Sequence, residues 1–174
     1  MSDCSIPQAI EDEESIAHAL FHPIDFKSGG KIKGAAFKAP SGKRDVSVMR
    51  SSYLTQPECC RRATEMQKDG KLFGGFAVLC VRFARDIALE VRDSRALFCG
   101  HADIWFQQPF VSGEPPPTEV NILLDALAKH ALHIKGDENT PLKRDDCLKQ
   151  LRIDGDVDRA HQVFSGTEQS REGP

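Results

Sequence analysis

Two residues apart on a strand, His101 and Asp103 would point to one side of a sheet and set an imidazole beside a carboxylate. Such a pair can tune a general base or supply two ligands to a metal. A second histidine and acid, His22 and Asp25, lie in Phe21-His22-Pro23-Ile24-Asp25-Phe26, whose rings could wall a pocket. With Arg50 as anion clamp, His22, His101 and Asp103 would form a small enzyme for a phosphate-containing substrate, provided the fold brings them together. The simpler account makes His101 a donor to a nearby carbonyl and Asp103 the partner of a base, because structural ion pairs perturb charge as readily as active sites do.

Other motifs carry less. Ser47, Ser51 and Ser52 surround Arg50, but no GxSxG turn frames a nucleophile, and a serine without an oriented base is inert. Gly29-Gly30-Lys31 and Gly74-Gly75 lack the order of a phosphate loop, and His130 with His133 lacks the HExxH order of zinc proteases. Asp154-Gly155-Asp156-Val157-Asp158 has the acids of a calcium loop with its glycine misplaced and no Glu at the twelfth position. The sequence therefore predicts no cofactor and no metal, and non-catalytic chemistry is the leading expectation.

Charge is the stronger signal. Residues 1–26 hold six acids and no Lys or Arg, whereas 27–50 hold seven bases against Asp45 alone. A block with Lys31, Lys33, Lys38, Lys43, Arg44 and Arg50 attracts an acidic surface, a phosphate polymer or the chain's own acidic start. Few aromatic residues in the block disfavour single-stranded nucleic acid, which needs stacking platforms. An accessory or adaptor protein, binding an acidic protein surface through a basic hairpin, is thus expected, with nucleic acid as the alternative partner.

The 174-residue length fits one domain with a polar tail. No apolar run approaches the roughly 20 residues of a membrane span, and the acidic start does not resemble a signal peptide, so a cytoplasmic protein with no membrane association is predicted. Six cysteines without a CxxC pair fit reduced thiols in such a compartment.

Positioning these residues requires a sheet. Residues 1–14 read as an acidic mobile arm, 15–134 as an α+β domain and 135–174 as a charged, partly helical tail. Ile16, Ala19 and Leu20 at helical spacing predict a short helix closed by Pro23. Residues 31–37 and 45–49, joined by Pro40-Ser41-Gly42-Lys43, predict the basic hairpin. Thr55 and Glu58 form a capping-box pattern for a helix over 56–68. Strands follow at 72–83, 89–91 and 97–106, with 81–87 also fitting a helical face. After Pro115-Pro116-Pro117, Thr118 caps an apolar-striped helix over 118–133 that covers a mainly antiparallel sheet. Short tail helices are expected at 142–151 and 157–164, capped by Thr140 and Asp154 and docked by Leu148, Leu151 and Phe164.

The order Ala36-Phe37, Val46-Ser47-Val48 and Gly100-His101-Ala102-Asp103-Ile104 ahead of a terminal helix resembles a group of small uncharacterised bacterial proteins with AF, SV and HA-x-I segments. The resemblance spans about residues 21–133 and implies a bacterial intracellular single domain. It implies no particular activity.

Overall fold

The computed structural model describes residues 4–67, 70–136 and 139–147. Among the described residues six strands form one antiparallel sheet in the order β4-β5-β2-β1-β3-β6, and three helices pack on it, which makes the fold α+β. The strands are β1 Ser15–His22, β2 Asp45–Met49, β3 Leu72–Cys80, β4 Glu90–Asp93, β5 His101–Trp105 and β6 Leu132–Ile134. The helices are α1 Gln56–Glu65, α2 Val81–Asp86 and α3 Thr118–His130.

Alternation along the strands builds two apolar layers. Ile16, Leu20, Val48, Leu79 and Ile104 join one core with α2 and α3, filled by Phe37, Leu123 and Leu127. Ala17, Ala19, Met49, Phe76 and Val78 meet Cys59 and Ala63 of α1 and Leu142 in the other. Each large side chain taken from water contributes about 1.5–3 kcal/mol.

The helix expected at 16–20 is β1. The first six residues of β1 are covered on both faces, so Ile16, Ala17, Ala19 and Leu20 are all buried with only His18 half-buried among them, and apolar residues on both faces satisfy helical spacing by accident. The basic hairpin does not form either. Residues 31–37 give one bridge, Phe26 to Ile32, then a 3-10 turn at Gly34–Phe37, while β2 pairs with β1 and β5. Gly34 fixes that turn against α3, because a Cβ there would lie 2.4 Å from Asp125 Oδ1.

The capping box forms as its spacing predicts, with Thr55 Oγ accepting the Glu58 amide and Glu58 accepting the Thr55 amide at 2.8 Å. α1 ends at Glu65. The ambiguous 81–87 stretch divides, β3 stopping at Cys80 and α2 following, because the backbone carbonyls of Glu14 and Asp12 accept the Val81 and Arg82 amides. Thr118 is the first helical residue rather than a cap, and Asn121 instead bonds the Pro116 carbonyl at 2.9 Å. Past His130 the chain becomes β6, a strand hidden in the helical stripe.

Both flanks pack on the domain. Residues 4–14, expected as a mobile arm, bury Ile10 and Glu14, and Leu142 and Cys147 are buried beyond β6. This docking brings Cys4 to Cys99 and Cys80 to Cys147 with Cα separations of 5.4 and 5.2 Å, and each pair forms a disulfide. The expectation of reduced thiols is corrected accordingly, with Cys59 and Cys60 left as the free cysteines among the described residues. The Thr140–Cys147 segment forms bends and turns, whereas Leu148, Leu151, Asp154 and the 157–164 helix lie outside the described residues.

Candidate functional site

Arg50 directly follows β2, one of the sheet's two central strands, and is 0% exposed. Its Nε and Nη2 donate to Glu14 at 2.9 and 2.7 Å, Nη1 donates to Asp93 at 3.0 Å, and the carbonyls of Ala9 and Pro7 accept the remaining protons. Burial pulls the guanidinium pKa down, and the bonds and charges of Glu14 and Asp93 more than offset it, leaving it raised. Arg50 is therefore a structural cation, corrected from its expected places in the partner surface and as an anion clamp.

His101 and Asp103 share a face of β5 as their spacing predicts, with Nε2 to Oδ1 at 3.7 Å. The sequence did not announce Ser94, whose Oγ lies 2.6 Å from His101 Nδ1 and whose carbonyl lies 3.1 Å from the same nitrogen. The β4–β5 hairpin makes this meeting, since the Ser94 amide donates to the His101 carbonyl at its base. His101 is 3% and Asp103 8% exposed, Phe98 and the imidazole meet in a T-shaped pair with centroids 5.1 Å apart, and the Arg62 guanidinium lies over the Phe98 ring, 3.7 Å from its centroid. This is a hairpin-closing polar centre with one face of its chemistry, the Asp103 Oδ1, lacking a hydrogen-bond partner among the described residues.

His22 is not part of it. Ala17 pairs with Met49, which pairs with His101, and His22 lies five residues farther along β1, displaced by about 16 Å along the strand direction and by two strand spacings across the sheet. Asp25 instead closes the turn after β1, accepting the Phe21 amide at 2.8 Å. The four residues of the enzyme alternative thus occupy three places, and no group of three metal-ligating side chains gathers among the described residues.

His22 belongs to a groove at the β3–β6 side. One cavity of about 570 Å³ is lined by Lys27, Gly30, Lys31, Asp125, Lys129 and His133. A second, of about 610 Å³, shares Gly30 and His133 and adds His22, Phe26, Phe73, Gly74, Lys135 and Gly136. Glycines let its rings close up: a Cβ on Gly74 would lie 2.5 Å from His22 Cδ2, and one on Gly136 would lie 2.5 Å from Phe73. His22 stacks on Phe26 with centroids 4.1 Å apart, and Phe26 meets His133 at 5.1 Å. Asp125 is the single acid among the described residues of the two linings.

Of the basic residues singled out in the sequence, Lys31 lines this groove. Lys33 Nζ donates to the Ile24 carbonyl at 2.9 Å, Lys38 and Lys43 are exposed, and Arg44 lies 5.8 Å from the Trp105 ring. Lys129 and Lys135 were missed because α3 and the end of β6 bring them from some hundred residues downstream; only the pairing of β6 with β3 could have placed Lys135.

Comparison with protein-family models, curated proteins and solved structures returns no match for this chain.

Proposed function

We propose that the chain is an accessory or adaptor protein that holds an acidic segment of another protein in the groove of Lys27, Lys31 and Lys135. The supporting observation is the pair of adjoining cavities, whose linings gather, among the described residues, four lysines and two histidines around one acid. Ammonium groups on flexible stems suit the scattered carboxylates of a protein, whereas phosphate recognition favours the planar fork of arginine, which neither lining contains among the described residues. The groove's rings also stack on one another, His22 on Phe26 and Phe26 against His133, so they leave little platform for bases. The reading calls for no cofactor or metal.

A labelled oligoglutamate peptide and labelled oligo(dT) distinguish the partners. The peptide should bind more tightly, and joint replacement of Lys27, Lys31 and Lys135 by Glu should weaken it by about tenfold or more, since exposed pairs contribute about 0–1 kcal/mol each and about 1.4 kcal/mol is a factor of ten. Preference for oligo(dT), or an unchanged peptide affinity, rejects the proposal. The cytoplasmic location expected from the sequence requires both cysteine pairs to be reduced there, so the thiol state of protein taken from cells reports the compartment. Among the described residues no helix is long and apolar enough to cross a membrane.

A further inference from the structure

The two cavities of the groove offer different walls. Lys27 and Lys31 bring ammonium groups to the first from the loop after β1. The second is walled by the rings of His22, Phe26, Phe73 and His133, with Lys135 as its one lysine among the described residues. Gly30 and His133 line both, so a chain lying along the groove meets charge and then ring surface.

Glycine shapes the ring half. A Cβ on Gly74 would lie 2.5 Å from His22 Cδ2 and 3.0 Å from Phe26 Cε2, and one on Gly136 would lie 2.5 Å from Phe73 Cε1. The rings thus stand where side chains would otherwise be, and the wall is ring edge and backbone. Phe73 meets Phe76 at 5.0 Å and Phe21 at 6.2 Å in T-shaped pairs that hold its ring, and it stays half-buried while His22 is exposed. Apolar surface therefore faces solvent from a preformed wall, directly beside the charged one.

With the groove taken, as above, for the seat of an acidic segment, we infer that this segment carries one branched aliphatic side chain of the leucine type beside its carboxylates. That side chain docks against His22, Phe73 and Gly74 while the carboxylates meet Lys27 and Lys31. Charge complementarity sets the order: carboxylates are drawn to the lysine half, and the ring half rewards a group that gains by leaving water. An aliphatic group needs only ring edges. A planar ring would need a free face, and here His22 is stacked on Phe26 and Phe26 lies against His133. Salt screens the charged half of such a contact and leaves the apolar half in force.

The test titrates the full oxidised chain with tetraglutamate peptides blocked at both ends, each bearing a glycine and then leucine, phenylalanine or alanine, placed before the acids in one set and after them in another. In one of the two orders the leucine peptide should bind about tenfold more tightly than its alanine twin, through partial burial of the side chain, and more tightly than the phenylalanine peptide. Raising salt from about 0.1 M to about 0.3 M should weaken leucine and alanine peptides alike and preserve their ratio. His22→Ala, at an exposed position, should bring the ratio toward one, and Phe73→Ala should do the same, with thermal unfolding confirming that each variant folds. A leucine peptide no tighter than alanine in either order, a preference for phenylalanine, a ratio that vanishes with salt, or a ratio unchanged in His22→Ala would each overturn the aliphatic anchor and leave the acidic groove standing. Failure of every peptide to bind would overturn both.

Discussion

Arg50 shows how far a residue's role can depart from its sequence company. It ends a run of bases yet is held by Glu14 and Asp93 inside the protein. Arg50→Ala would leave two buried carboxylates without their cation, and loss of one partner from a buried pair costs about 3–5 kcal/mol. Urea unfolding should show that loss as a lower midpoint. His130 stacks on Phe83 at 3.7 Å, and burial first, then the Arg144 charge, push its pKa down to about 4, with Asp146 opposing. The unfolded imidazole, near about 6.5, takes up a proton that the folded one refuses, so stability is full above about 6.5 and falls as pH drops toward 4. His130→Phe should flatten that slope by about 1 kcal/mol, discounted for partial solvent screening, as read from urea midpoints across the range. Burial likewise pushes the Cys59 thiol up to about 12 and raises Cys60 less far, so iodoacetamide should label Cys60 first in the native protein. Equal labelling rates would contradict that ordering.

Elements with local signals were legible in the sequence, and those decided by tertiary cover were not. The Thr55–Glu58 capping box fixes the start of α1 within four residues, and Thr55→Ala should cost about 0.5–2 kcal/mol in a denaturant series. β2 was legible from the alternation of Val46 and Val48 and β5 from aromatic and β-branched content over 97–106, and their pairing sets Ser47 opposite Asp103. β1 was misread because both its faces are covered, which removes the alternation that marks a half-exposed strand. β6 was misread because three residues after a helix carry too short a pattern to separate from its stripe. The candidate site was half legible: His101 and Asp103 share a face as i, i+2 spacing requires, but Ser94 reaches them through a hairpin loop whose length no motif announced. Residues 1–14 were expected as an acidic mobile arm, with the basic block as one surface it could meet. Glu14 and Asp12 instead neutralise Arg50 and Arg85 and feed carbonyls to α2, so removing residues 1–14 should lower the unfolding temperature.

At the scale of the molecule, two disulfides spanning 95 and 67 residues tie the flanks at Cys4 and Cys147 to the domain. Loops of that length stabilise by about 4 kcal/mol each in the chain-entropy account. Reduction without denaturant should therefore lower the thermal midpoint, and thiol counting in denaturant should find two reactive cysteines before reduction and six after. The charge of the whole chain is weakly negative, so attraction of an acidic partner depends on where the lysines gather. That attraction should fade as the Debye length contracts from about 10 Å at 0.1 M salt to about 3 Å at 1 M. The most direct test of the groove is zero-length carbodiimide coupling of an oligoglutamate peptide to the oxidised protein, with the joined lysines mapped by mass spectrometry. Coupling concentrated at Lys27, Lys31 and Lys135 and suppressed by salt is the predicted result; coupling spread evenly over all exposed lysines, or centred on Lys38 and Lys43, would contradict it.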